Sequence, residues 1–267
     1  MTDTLIFAKK VREICIDLVF KKKAAHIGSA LSIVDLLSVL YNRIMKVDPY
    51  NPKDQYRDRF LLSKGHACIA LYSTLALKGF FNIKDLETYS DNGSIFTSHT
   101  NYKVPGIEFS AGSLGHILPI CCGLALAAKK KSEPWRCYCI ISDGELDEGS
   151  NWEALLFAPQ HKLDNLIVII DYNKIQSLGS TNEIIDLSPL KEKLRAFNWE
   201  VREINGHCHN EIELSLIKSN YNNGKPKAII ANTVKGKGIS FMENKLLWHY
   251  KSPNEEEYKL SIEELHT

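Results

Sequence analysis

Ile140-Ile141-Ser142-Asp143-Gly144-Glu145-Leu146-Asp147-Glu148-Gly149 and, further along, Leu166-Ile167-Val168-Ile169-Ile170-Asp171-Tyr172-Asn173-Lys174-Ile175 repeat one pattern. Each begins with apolar, largely β-branched residues, the signature of a strand buried on both faces. Each then breaks into a polar turn. Between them, Glu148 to His161 reads as a helix, with Trp152, Leu155, Leu156 and Ala158 at helical spacing. Strand, helix and strand make a βαβ unit, whose crossover brings both strand ends to one edge of a parallel sheet.

This geometry predicts that Asp143 and Asn173 meet although thirty positions separate them. Neighbouring strands lie ~4.8 Å apart, so both oxygens can reach one small cation beyond the carboxyl edge of the sheet. With a backbone carbonyl at Ile175 they make a hard, all-oxygen set suited to Mg²⁺. Gly144 is expected to let the chain turn tightly before the helix, whose N-terminus is a seat for phosphate. The alternative is a strand-end Asp143 that caps the helix.

Around this unit the rest of the chain alternates in kind. Residues 5–23 read as an amphipathic helix running into Lys21-Lys22-Lys23, and a second helix is expected over 32–45. Residues 59–63 are a short strand leading through Lys64-Gly65-His66 into a helix that reaches about Lys78. Residues 84–90 suit a short helix. A long Gly-, Ser- and Asn-rich loop over 91–109 carries His99. Gly112 and Gly115 precede an apolar helix through Ala128, where they could admit a bound group or a helix contact. Helices over 188–198 (with Pro189 in the first turn) and 209–220, strands over 199–204 and 228–233, and an acidic helix over 252–267 complete the pattern. One α/β unit, a doubly wound parallel sheet flanked by helices, is expected over 1–267.

Composition excludes several functions. The chain is 44% hydrophobic and 24% charged with a net charge of +1, which is ordinary for a globular protein and wrong for a surface that coats nucleic acid. No apolar run approaches the ~20 residues needed to span a bilayer, and no signal peptide is visible, so no membrane partner is expected. Seven cysteines without a Cys-x-x-Cys pair indicate reduced, cytoplasmic usage, with Cys137 and Cys139 on one face of a strand. His207, Cys208 and His209 could contribute to a zinc site, but no second ligand pair lies at finger spacing.

The motifs Ala-His-Ile-Gly-Ser at 25–29, Ser-Lys-Gly-His-Ala at 63–67, Gly-Ser-Leu-Gly at 112–115, Ser-Asp-Gly-Glu-Leu-Asp-Glu-Gly at 142–149, Asp-Tyr-Asn-Lys-Ile at 171–175 and Lys-Gly-Lys-Gly at 235–238 occur in one order. In that order they resemble the thiamine-diphosphate enzymes of the transketolase family, from about His26 to His249. The resemblance implies that Asp143, Asn173 and the Ile175 carbonyl hold Mg²⁺, or Ca²⁺ or Mn²⁺ in its place. It implies that Ser29, His66, Gly112, Ser113 and Leu114 contact thiamine diphosphate, with Gly144, Glu145 and Lys235 at its diphosphate side. His26, His66, His99 and His249 are implied to move protons at the reacting centre, with His249 also touching the cofactor. Glu148 and Glu153 match glutamates at the family's subunit contact, although first-turn helix charge accounts equally well for Glu148. The sequence departs from the family pattern at Ser142 (usually Gly), His116 (often Gln) and Tyr250 (usually Gly).

Family enzymes commonly run to more than twice this length, and the glutamate that activates the cofactor comes from a pyrimidine-binding domain. The resemblance is therefore to the N-terminal subunit of a split transketolase. A second polypeptide would supply the pyrimidine-binding and C-terminal domains, and a heterotetramer would act on sugar phosphates. Alternatives are a specialised ketol or acyl transferase of sugar or secondary metabolism and a non-catalytic cofactor-binding subunit.

Overall fold

Five parallel strands form the centre: β1 (Arg59–Leu62), β2 (Cys137–Ser142), β3 (Leu166–Tyr172), β4 (Glu200–Asn205) and β5 (Lys227–Asn232). They lie in the spatial order β1-β2-β3-β5-β4, every neighbouring pair parallel. The computed structural model describes residues 3–217 and 222–266. Side-chain alternation splits the strands between two cores. Tyr138, Ile140, Ile167, Ile169 and Ile229 face a layer built on helices Asp3–Lys22, Val34–Val39 and Cys68–Lys78. Cys137, Cys139, Val168 and Ile170 face the opposite layer, with helices Ile117–Lys130 and Gly149–Gln160. The sheet is thus covered on both faces, as its unbroken apolar runs require. The expected pairing of β2 with β3 is present in register, Ser142 opposite Asp171.

Several boundaries differ from the sequence reading. The helix expected over 32–45 begins earlier and is divided into Ile27–Leu31, Val34–Val39 and a π-helical turn at Leu40–Ile44. Its apolar residues are buried all round, so one-sided periodicity was a poor guide there. Pro189 precedes the helix Leu190–Ala196 instead of entering its first turn. Leu156, expected on the buried stripe, is 57% exposed, whereas Leu155 is fully buried. The helix expected over 209–220 is described as His209–Ile217, and its last three positions lie outside the described residues. No described helix is long and apolar enough to cross a membrane.

The loop at 91–109 and the residues after it fold back over the end of β1, which forces a close approach. A Cβ on Gly65 would lie 2.1 Å from the Ala111 carbonyl oxygen, too near for any side chain. Gly65→Ala is therefore expected to cost about 1–3 kcal/mol through overpacking, read as a lowered urea midpoint.

Candidate functional site

Polar residues follow the ends of four strands and converge on one cavity of about 210 Å³. His66 follows β1, Asp143 follows β2, Asn173 follows β3 and Lys235 follows β5. This is the carboxyl edge, where open α/β sheets bind ligands. A larger groove of about 760 Å³ runs between helices Asp3–Lys22 and Glu255–His266, but it is lined by mixed surface side chains such as Glu13, Lys21 and Tyr258.

The floor of the cavity is a buried ion pair whose two members carried no assigned role in the sequence reading. Lys64 Nζ donates to Asp171 Oδ2 at 2.5 Å, with both side chains shielded from solvent. Asp171 also accepts from Ser32 Oγ at 2.7 Å, from Thr233 Oγ1 and from Asn173 Nδ2 at 3.0 Å. Burial alone would raise the Asp171 carboxyl, but Lys64 and these donors hold it below the usual carboxylate range. The bond to Asn173 Nδ2 fixes the amide so that its oxygen is the atom left for a ligand, and that oxygen accepts the Ile175 N–H at 3.1 Å.

Asp143 is 1% exposed. Its oxygens accept the Gly144 N–H at 2.8 Å and the Lys174 N–H at 2.5 Å, so it caps the following turn and ties β2 to the β3 loop. Burial and the nearby charge of Asp171 push its carboxyl up to about 6. The capping alternative is thus realised together with the meeting at Asn173. A 3-10 turn, Gly144–Asp147, separates Asp143 from the helix Gly149–Gln160, so the expected helix N-terminus is set back from the cavity. Gly144 has no left-handed backbone. It is needed because a Cβ there would lie 2.7 Å from Gln176 Cβ.

All four predicted histidines line the cavity. Ring centroids separate His26 from His66 by 5.1 Å, from His99 by 6.0 Å and from His249 by 5.0 Å. His26 takes a left-handed backbone, φ +70, and its N–H donates to the His249 carbonyl at 3.0 Å. Lys235 Nζ donates to His249 Nδ1 at 3.2 Å, which leaves the ring proton on Nε2. Burial, then the charges of His99 and Lys235, lower His26 to about 4. Burial and Lys235 lower His249 to about 3. Burial, with Lys64, holds His66 well below the ordinary histidine value, and burial also lowers His99.

Ser29, Gly112 and Leu114 reach the cavity as expected. A Cβ on Gly112 would meet nothing within 4 Å, while Gly115 packs against Glu148 and Ser150, so of the two only Gly112 opens toward a ligand. Ser113 is exposed beside the cavity lining. Glu145 lies beneath the cavity, fully buried. It accepts from the Ser63 hydroxyl, from Gly115 N at 2.8 Å and from Ser142 N at 3.3 Å, and so joins three motifs without lining the space itself. Glu148 and Glu153 are exposed, away from the cavity lining. Gln176 and Ser177, which the sequence reading missed, also line the cavity; only their position three and four residues after Asn173 hinted at them. The zinc reading has no support among the described residues: His207 and His209 both bond to Asp35, and no group of three metal-ligating His, Cys, Asp or Glu side chains is present.

Residues 4–265 match the family model described as transketolase, thiamine diphosphate binding domain. The chain belongs to the transketolase family. It is 42% identical over 258 residues to an apulose-4-phosphate transketolase subunit of Phocaeicola vulgatus, covering 97% of this chain and 92% of that protein. It is 44% identical over 259 residues to 6-deoxy-6-sulfo-D-fructose transketolase subunit SqwG of a Clostridium species, covering 97% and 94%. The crystal structure of transketolase from Campylobacter jejuni superposes with a TM-score of 0.93 at 33% identity, covering all of this chain and 43% of that one. The chain thus spans the length of the subunit relatives and under half of that solved transketolase.

Two outcomes test the electrostatics. Asp171→Asn leaves Lys64 buried without its anion and is expected to destabilise the fold by about 3–5 kcal/mol, measured by chemical denaturation. Because His26 and His249 titrate lower in the folded chain, at about 4 and about 3, the unfolded chain binds more protons once the pH drops below 6.5. Stability should be fully present above pH 6.5 and fall progressively toward pH 4, and His26→Gln should flatten part of that slope in a series of melting curves.

Proposed function

We propose that this chain is the thiamine-diphosphate-binding subunit of a split transketolase, folded as one domain, that transfers a two-carbon ketol unit from a ketose to an aldose. The observation that carries this reading is the convergence of Asp143, Asn173 and Ile175 on the cavity that four neutral histidines line. The donor set fits a hard divalent cation. One carboxylate has no ion-pair partner among the described residues, one amide oxygen is fixed in direction, and the Ile175 carbonyl already attracts the Lys235 ammonium at 2.9 Å. Mg²⁺ would be held there, with Ca²⁺ or Mn²⁺ able to replace it. Lys64 and Lys235 supply the positive field that a diphosphate needs.

Bound in this cavity, thiamine diphosphate would supply the nucleophilic carbon that cleaves the ketose C2–C3 bond. The chain's own contribution is binding and proton transfer. His26, His66, His99 and His249 are neutral at working pH, so each can accept a proton from a sugar hydroxyl and return it. Ser29, Gly112, Ser113 and Leu114 border the space for the organic part of the cofactor, with Gly144 at its diphosphate side. Glu145 acts from below, by holding the loops that border the space.

The cavity, at about 210 Å³, falls short of the roughly 300 Å³ at which ligand pockets usually begin. A second polypeptide closing over it accounts for the shortfall, and both subunit relatives are named as one part of a transketolase. The exposed Glu148, Glu153, Leu156 and Phe157 form the surface assigned to that contact, two apolar side chains beside two carboxylates. A heterotetramer of two chains of each kind follows if the contact is two-fold symmetric. Sugar phosphates are the substrate class, and seven free cysteines suit a cytoplasmic setting.

In the complex with its partner, Asp143→Ala is expected to weaken Mg²⁺-dependent thiamine diphosphate binding about 100-fold or more, since loss of a direct ligand should exceed the effect of an outer one. Titration calorimetry reads this, and unchanged binding would refute the assignment. Ketol transfer from a ketose phosphate should require both polypeptides.

A further inference from the structure

Behind the cavity, on the outer side of the turn that carries Lys235, lies a second polar cluster. Asp35, 4% exposed on the helix Val34–Val39, accepts from Arg12 Nη1 and Nη2 at 3.1 and 2.6 Å, from His207 Nδ1 at 2.7 Å and from His209 Nε2 at 3.0 Å. The tautomer of His207 follows from its partners. Its Nε2 accepts the Val234 N–H at 2.8 Å, so the ring proton sits on Nδ1 and is donated to Asp35. Arg12 continues past Asp35 and donates through Nε to the Lys237 carbonyl at 3.0 Å. Residues 234 and 237 are therefore gripped from outside by two side chains that share one carboxylate.

Between these two grips the turn delivers Lys235. Its carbonyl accepts the Asn244 N–H at 2.9 Å, and the Gly236 N–H donates to Gly28 at 2.9 Å. The side chain passes Gly28 so closely that a Cβ there would stand 3.2 Å from Lys235 Cγ. The lysine is 1% exposed, yet among the described residues no carboxylate forms an ion pair with it. Among the described residues its ammonium bonds to the Ile175 carbonyl and His249 Nδ1. A buried ammonium on a flexible stem, with Asp143 and Asp171 near it but neither in direct contact, gains by swinging toward water. The backbone at its root has to prevent that.

We propose that His207 is a positioning residue that acts through Val234, fixing the turn so that the Lys235 ammonium stays at the diphosphate end of the cavity. The ligand in this statement rests on the thiamine diphosphate reading, but the placement of Lys235 can be measured without any ligand.

Two substitutions separate the bonds. The amide of His207→Asn can still donate to Asp35 but cannot reach Val234, whereas His207→Gln can accept the Val234 N–H. With the full chain, brief acetylation by acetic anhydride followed by mass spectrometry should label Lys235 about fivefold faster in His207→Asn, relative to the surface Lys259, because the turn opens locally. His207→Gln should label as the native chain does. In the complex with the partner subunit, His207→Asn should weaken Mg²⁺-dependent thiamine diphosphate binding about tenfold, and should add nothing once Lys235→Ala is present, because the two act through one path. Unchanged Lys235 labelling in His207→Asn, or a further loss of binding on top of Lys235→Ala, would overturn the proposal. If the unsubstituted complex binds no thiamine diphosphate, the functional reading fails, and the labelling result still decides the role of His207.

Discussion

Lys64 and Asp171 meet with almost no solvent around either, and the carboxyl edge of the sheet is arranged about that contact. Lys64 follows β1 and Asp171 lies in β3, so the pair spans the end of β2. An unmatched charge at this depth would cost several kcal/mol. The surrounding donors saturate the carboxylate: Ser32 from the helical layer, Thr233 just after β5 and Asn173 just after β3. Three strand ends and a helix segment are thereby held by one anion. The direction of the Asn173 amide follows from that contact, and so does part of the upward push on Asp143.

The same positive charge serves two ends. Lys64 and Lys235 give the cavity a positive field, and they also oppose protonation of the imidazoles beside them. An imidazole can accept a proton only when it is neutral. Here neutrality comes from burial together with those two cations. Lysines and histidines share one space: Lys235 Nζ reaches His249 Nδ1 at 3.2 Å, and the ring of His26 lies within about 6 Å of the other three.

Support for this arrangement comes from outside it. Glu145 draws Ser63, Gly115 and Ser142 onto one buried carboxylate, and Asp35 gathers Arg12, His207 and His209 behind the Lys235 turn. Buried carboxylates serve here as knots for loops that share no secondary structure. A fully bonded polar network of this kind specifies one loop arrangement, because each alternative leaves a polar atom dry and unpaired.

The sequence by itself determined the alternation of strand and helix, the burial of the sheet on both faces, the meeting of Asp143 with Asn173 and the family, because each follows from local periodicity or from motifs in a fixed order. The short, β-branched apolar runs at residues 140 and 166, each ending in a polar turn, read as buried strands, and a right-handed crossover leaves their ends side by side. Only the tertiary structure decided that Lys64 pairs with Asp171, that Glu145 lies beneath the cavity, that Gly115 serves packing while Gly112 faces open space, and that His207 bonds to Val234. Those contacts join residues more than twenty-five positions apart through side chains whose chemistry allows many partners. Their choice is made by which loop ends the sheet order brings together, and no periodicity in the chain records it.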